Sequence, residues 1–485
     1  MTKKLVLSRP LSLSEHFLRS RTATRFYNNF QVTGTYSQNI SSHLIWVYMA
    51  LRKSLLDYPI LICNIQREKD DCVFRPINSA KLGDIVELSD IHGNIENGAI
   101  NEKFMKYLNT ISFDLYSETP LFKLVILGEH VSAVFEHTIT DGLVGPYFHE
   151  IFLKNLDYVS NESNCTEYEI LYGKIPTQVN LDSTLFNFEK DQSFFTHSLP
   201  PPSDIFVEDP ELDFTYGDPD YHEKAIPEGY ETKWPGRFEP THDQSIGYKL
   251  VHFDPDEAKQ LVDKCRSQGT TLTPFIQVVH VLTMQPIYGD KHYTSHRMAI
   301  TLRRHAKPEN VPDYFQDAYA EPGYKLLGGW AHVGPRENYP PLFEFSWDKV
   351  KEIHRNLVAD TNNTRLYNIY QPFKNVYSKT SNNDEFFQLS MQAKADATKL
   401  SNLGFINFPV YKSTPGIDWT VNNLVFSQDV SAPTADFVYN IISTPLGGLN
   451  IVVSFQDHRS DDLSNESLEG LVAKFRHNLL FYSEK

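Results

Sequence analysis

Residues 196–245 constrain this chain more than any other stretch. They hold eight prolines, and between Asp204 and Asp243 twelve acidic side chains face three basic ones. Proline breaks helices and cannot donate into a central strand, while like charges keep a segment extended. No single compact core can run through such a stretch. It reads as a long crossover joining an N-terminal half, 1–195, to a C-terminal half, 246–485. Its aromatics, Phe206, Phe214, Tyr216, Tyr221, Tyr230, Trp234 and Phe238, predict a segment pinned to the surface, since a free tether would be poor in them.

Both halves mix helices with strands. In the first, Ser12 and Glu15 have capping-box spacing ahead of Phe17 and Leu18. Ser42 is placed to cap a helix bearing Leu44, Ile45, Val47, Tyr48, Leu51 and Leu55. Residues 59–65 read as a buried strand, and 121–127 with 131–135 as a hairpin about Gly128. In the second, helices are expected over 256–267, from Thr273, and over 466–482. Strands are expected at 298–302, 421–426, 436–442 and 449–455. The chain is therefore α/β in class, with two domains, as its 485 residues suggest.

A net charge of −16 excludes nucleic acid as a partner. No apolar run approaches the roughly 20 residues needed to span a bilayer, and the first ten residues carry too short an apolar stretch for a secretory signal. The four cysteines, Cys63, Cys72, Cys165 and Cys265, are widely spaced and read as reduced thiols of an intracellular, cytoplasmic protein. His130, His137 and His149 lie at intervals of 7 and 12 with no paired ligand spacing, so no metal site is expected. A Gly-x-Ser-x-Gly elbow is also absent, which leaves serine-hydrolase chemistry without support.

The stretch that carries chemistry is His137-Thr138-Ile139-Thr140-Asp141-Gly142, directly behind the apolar run 131–135. A strand ending in histidine sets an imidazole at the mouth of a sheet, where it can serve as a general base. His-x-x-x-Asp occurs three times, the others being His252 with Asp256 and His458 with Asp462. Only the copy at His137 has a preceding β-type run, a trailing glycine and an amphipathic helix behind it. The other two read as solvated loops.

In that setting the hexapeptide resembles the active-site signature of the CoA-dependent acyltransferase superfamily. Blocks at 269–275, 401–404, 419–428 and 447–451 resemble the fungal alcohol O-acetyltransferase family, in that family's order, and the resemblance spans roughly residues 10–480. It implies a two-domain, chloramphenicol acetyltransferase-like fold, with mixed sheets flanked by helices and the active site in a channel between the domains. It implies an O-acetyltransferase with acetyl-CoA as co-substrate, no bound cofactor, and an alcohol acceptor that is small, fusel or lipophilic and sterol-like. His137 would be the general base. Asp141 would fix loop geometry through an arginine, with Arg303 and Arg304 as candidates, and Gly142 would supply turn freedom. Ser401 and Asn402 are either donors near the thioester carbonyl or a polar turn. Arg297, Lys374 and Lys379 are candidates for the CoA phosphates.

Two other functions stay in view. One is an N-acetyltransferase acting on a lipophilic, sphingoid-like amine; the other is a catalytically silent binding protein of the same fold. Residues 1–25 carry six basic side chains and one acid. They read either as a basic amphipathic segment for peripheral contact with an endoplasmic reticulum or lipid-droplet surface, or as ordinary packing. A monomer is expected.

Overall fold

The computed structural model describes residues 5–68, 71–89, 95–96, 99–202, 226–236, 245–301, 303, 308–320, 331–362, 396–430, 435–456 and 467–485. Its principal strands are β1 (Phe30–Tyr36), β2 (Val86–Leu88), β3 (Phe122–Leu127), β4 (His130–Phe135), β5 (Ile246–Phe253), β6 (Thr294–Thr301), β7 (Ala331–Tyr339), β8 (Thr398–Phe405), β9 (Val421–Gln428), β10 (Phe437–Thr444) and β11 (Gly448–Gln456). The helices used below are α1 (Leu13–Ala23), α2 (Leu44–Asp57), α3 (Glu102–Asn109), α4 (Val144–Ser160), α5 (Pro255–Ser267), α6 (Leu272–Tyr288) and α7 (Leu468–Glu484).

Two mixed sheets form the frame. The first runs β9-β1-β4-β3-β2 and the second β5-β11-β10-β8-β6-β7. In the first, β4 sits between β1 and β3, antiparallel to both. Every residue of β4 is buried, because both of its faces are covered. Val131, Ala133 and Phe135 join the core under α2 and α4. Val134 faces the other way, in a cluster with Phe104 and Leu108 of α3, Val425 of β9, and Tyr248, Val438 and Val452 of the second sheet. That shared apolar layer welds the sheets together. The outer face of the second sheet packs on α5, α6 and α7 through Leu261, Phe275, Val279, Leu471 and Phe475.

The structure departs from the linear division of the chain. The sequence places all of 246–485 in one half, yet β9 pairs with β1 along its length, from Val421 opposite Tyr36 to Gln428 opposite Phe30. Val311 and Phe315 likewise enter the first core. A strand lent by the second half covers an edge of β1 that would otherwise present unpaired backbone groups. Within the crossover, 203–225 and 237–244 lie outside the described residues. Trp234 is pinned as its aromatic character predicts: its N–H donates to Tyr293 O at 2.7 Å and its ring meets Tyr288 edge-on at 4.9 Å.

Three local expectations change. Ser42 does not cap α2; a short 3-10 turn, Ile40–Ser42, intervenes and His43 precedes the helix without a side-chain cap. Residues 59–62 form a 3-10 turn and the strand begins at Cys63, since Pro59 has no N–H to give a ladder. His252 belongs to β5 and its Nδ1 lies 2.9 Å from Asn450 Oδ1, so it is no loop residue; His458 is outside the described residues.

The basic N-terminus is largely occupied by internal contacts. Ser12 and Glu15 form the predicted capping box, and Arg9 grips the same carboxylate at 2.7 Å. Arg19 donates to the Tyr116 hydroxyl at 2.6 Å, and Arg21 stacks on Tyr27 with its guanidinium 3.8 Å from the ring centroid. Leu11 is buried, and Leu5 and Leu7 pack on the first core. These contacts favour the packing reading of the segment. Among the described residues no helix is long and apolar enough to cross a membrane. The four cysteines are unpaired thiols.

A tight approach to the first sheet is made at Gly145, in the first turn of α4. A Cβ there would stand 2.2 Å from Val32 Cγ2 on β1. Gly145→Ala should therefore cost about 1–3 kcal/mol through forced repacking, and pairing it with Val32→Ala should recover part of that loss. Chemical denaturation of the single and double variants checks this; equal stability of wild type and Gly145→Ala would contradict the packing described.

Candidate active site

β4 ends at Phe135 against its neighbours, and the chain then turns through 137–143 into α4. Glu136, the first residue past the strand, is fully buried. Its Oε1 accepts from Thr22 Oγ1 at 2.6 Å and Thr138 Oγ1 at 2.9 Å, and its Oε2 accepts from Thr138 N at 2.7 Å. Burial pushes this carboxyl upward, while Thr22, Thr138 and the Arg21 charge pull it back. Glu136 thereby clamps the turn to α1 immediately before His137.

The imidazole of His137 is held edge-on by aromatics: Phe30 at 5.1 Å and Tyr27 at 5.7 Å between ring centroids. Nδ1 is buried and makes no hydrogen bond of good geometry, although the residue as a whole keeps partial exposure. The ring is held well below the ordinary histidine pKa, first by desolvation and then by the positive charges of Arg21 and Lys399; the carbonyls of His137 and Thr140 act in the opposite sense. A neutral imidazole with an available lone pair is the form a general base needs.

Asp141 does not serve that ring. Its Oδ1 accepts from Leu143 N at 3.0 Å, and its Oδ2 receives Arg303 Nη1 at 2.6 Å. Both partners of this ion pair are more than nine-tenths buried. No hydrogen bond joins Asp141 to His137 among the described residues. The pair ties the turn behind β4 to the end of β6, that is, one half of the molecule to the other. Of the two candidate arginines, Arg303 is the one found at Asp141; Arg304 lies outside the described residues.

Gly142 plays a part different from the one expected. It does not adopt a positive φ. A Cβ at this position would come within 3.0 Å of Leu403 Cδ2 and 3.3 Å of Phe426 Cζ, so the glycine is there for close approach of β8 and β9. Ser401 and Asn402 lie within β8, not in a turn. Ser401 is buried and stands opposite Asn440 in register. Asn402 faces the other way: its Nδ2 donates to Thr273 Oγ1 at 2.9 Å and its Oδ1 accepts from Gly404 N at 2.8 Å. It anchors β8 to α6. Arg297 is bound to Asp396 at 2.9 Å, and Arg336 takes the other oxygen of that carboxylate at 2.7 Å. Lys374 and Lys379 lie outside the described residues.

Arg21, Tyr27, Phe30, Glu136 and Lys399 complete the surroundings of His137, and the sequence reading did not single them out for the site. Only Glu136 adjoins the motif; nothing in the spacing of the others marks them. Among the described residues no group of three or more His, Cys, Asp or Glu is placed to hold a metal.

A family model for alcohol acetyltransferases matches residues 13–303 and 341–479. The chain belongs to the alcohol acetyltransferase family. It is accordingly an acyltransferase, and the family implies acetyl-CoA as co-substrate. No curated protein matches its sequence significantly. Among solved structures, the chain is similar to TRI3 trichothecene 15-O-acetyltransferase from Fusarium sporotrichioides, at 11% identity and a TM-score of 0.63, covering 98% of this chain and 95% of that one. It also resembles the starter condensation domain of rhizomide synthetase RzmA, solved with C8-CoA and Leu-SNAC (10% identity, TM-score 0.57, 99% and 95% covered). A third is the epimerization domain from the third module of tyrocidine synthetase B (13% identity, TM-score 0.54, 100% and 99% covered). At such identities the likeness concerns the fold, the mixed α/β two-domain architecture that the sequence blocks imply.

The buried Asp141–Arg303 pair invites a double-mutant cycle. Asp141→Asn and Arg303→Gln should each cost about 3–5 kcal/mol, because each removes one charge of a buried ion pair, and the double variant should lose less than the sum. Asp141→Asn should also keep the parent's pH–rate midpoint. Additive losses, or a displaced acid limb in a folded Asp141→Asn enzyme, would contradict the structural role.

Proposed function

We propose that this protein is an acetyl-CoA-dependent O-acetyltransferase that forms acetate esters of alcohols by direct transfer, with His137 as the general base. The observation that carries the reading is the setting of that ring: desolvation and neighbouring positive charge favour its neutral form, and Phe30, Tyr27 and a turn tied down by the buried Asp141–Arg303 pair hold it. In the reaction, Nε2 removes the acceptor hydroxyl proton as the oxygen attacks the thioester carbonyl. The π pair moves onto the carbonyl oxygen. The tetrahedral intermediate then collapses, the C–S bond breaks with its electrons going to sulfur, and His137 returns the proton to the departing thiolate. Every group needed for proton movement is the same imidazole, so no acyl-enzyme enters the scheme.

The test is a panel of alcohols and lipophilic amines with acetyl-CoA, read by free thiol release. Turnover with alcohols supports the reading; turnover restricted to amines would replace it by N-acetylation, and none at all would leave a silent binding protein. His137→Ala should lower kcat by about 10²- to 10⁴-fold with the fold intact, and activity within threefold of wild type would remove His137 from the mechanism.

The pH dependence has a definite sign. Because the folded-state pKa of His137 is depressed, the active neutral form persists below the usual histidine value of about 6.5. The acid limb of kcat/KM should therefore have its midpoint below that value, and a midpoint at or above it would contradict the desolvated, cation-flanked site.

A further inference from the structure

The inner face of the second sheet is covered unevenly. Where it meets the first sheet, Tyr248, Val438 and Val452 are buried in the shared apolar layer. Across β7, β6 and β8 the same face is half-buried and carries a row of cations: Arg336 stands opposite Arg297, and Arg297 opposite Lys399, whose other neighbour is Val438. Like charges set directly opposite one another destabilise a sheet. One carboxylate relieves the row. Asp396, more than nine-tenths buried, accepts from Arg297 Nε at 2.9 Å and from Arg336 Nε at 2.7 Å. Arg297 is held there by Nε alone, and neither of its Nη nitrogens bonds to a described residue. Lys399 enters no hydrogen bond or ion pair among the described residues.

Neighbouring acids do not complete the set. Glu337, next to Arg336, stands opposite His296 on the other face of the sheet and accepts from Asn356 Nδ2 at 3.2 Å. Arg21, across the interface, is set against the buried Asp429 and is not counted with the row. The row lies at the end of the interface where His137 stands. Gln428 Nε2 donates to Asn440 Oδ1 at 2.6 Å, joining the sheets; Asn440 stands opposite Ser401, and Gln428 opposite Phe30, itself opposite Phe135. Two residues on from Ser401 and from Phe135, in the same direction, come Lys399 and His137.

We propose that Arg297 and Lys399, with Asp396 and Arg336 orienting the guanidinium, form an oxyanion-binding site that takes a carboxylate or phosphate carried by a substrate. The proposal rests on the acyl-transfer reading above, in which acetyl-CoA brings phosphates and an acceptor can bring a carboxylate. A guanidinium fixed through Nε by a buried carboxylate offers its two Nη nitrogens as a planar fork, and the ammonium one strand away adds a point charge. Buried cations that outnumber their carboxylates are costly until an anion joins them. That cost is visible at Lys399, whose amine is pushed down to about 7 by burial, Arg21 and Arg297 against the pull of Asp396.

Two ratios of kcat/KM test the site: acetyl-CoA over acetyl-pantetheine, which lacks the phosphates, and a hydroxy acid over the neutral alcohol of the same chain length. Lys399→Met and Arg297→Gln should each lower one of these ratios by about 10- to 100-fold, and Lys399→Arg should keep most of it. Lys399→Gln replaces Lys399→Met if methionine disturbs folding. A fall in the first ratio assigns the anion to the donor's phosphates and a fall in the second to an acceptor carboxylate; either supports the site. Both ratios unchanged, or a loss in Lys399→Arg as large as in Lys399→Met, would overturn it. Calorimetric Kd values for CoA, pantetheine and the two acceptors give the same ratios without turnover. If wild type transfers no acetyl, the functional reading fails, and those Kd ratios still decide the site.

Discussion

The pairing of β9 with β1 is the constraint on which the rest of this molecule depends. Through it a strand from the second half of the chain becomes an edge of the first sheet, in register from Phe30 to Thr35 with an irregularity before Tyr36. That stitch fixes the distance between the two sheets, and the apolar layer of Val134, Val425, Val438 and Val452 fills the space between them. Leu403 and Phe426 are then delivered to Gly142, and Arg303 to Asp141. The turn bearing His137 is therefore held from both halves, which is how a segment with no regular structure of its own can keep one imidazole in place.

Electrostatics at the site run against the global charge. The chain is strongly acidic, yet the carboxylates of Glu136 and Asp396 are each tied to local partners. The cations Arg21 and Lys399 act on His137 from opposite sides of the interface. Desolvation and these two charges both favour the neutral ring, so environment, and no partner carboxylate, sets its state. Asp141, which sits four residues away in the order a catalytic pair would suggest, contributes geometry through Arg303.

Much of the scaffold was legible because its signals are local. The Ser12–Glu15 box, the hairpin about Gly128, and the helices at 255–267 and 468–484 each follow from periodicity and capping within a few residues. The motif at His137 was legible for the same reason. What was not legible is set by contacts remote in sequence. Nothing in 421–428 says that it leaves its own half, since strand propensity does not name a partner. Alternation along a strand could not choose between Arg303 and Arg304. The motif suggests turn freedom for Gly142, whereas a close approach by Leu403 governs it, and the polar pair Ser401-Asn402 gives no local sign that it lies within a strand. Lys399 and Arg21 carry no motif at all; their positive charges bear on His137 only through the fold.

Direct transfer by a single base is the claim at the centre of this account, and two-substrate initial-velocity kinetics test it most directly. With acetyl-CoA and an active alcohol varied together, double-reciprocal plots should intersect, and protein exposed to labelled acetyl-CoA alone should carry no stoichiometric acetyl group. Parallel lines, accompanied by an acetylated serine, cysteine or histidine isolated from the protein before acceptor is added, would contradict it.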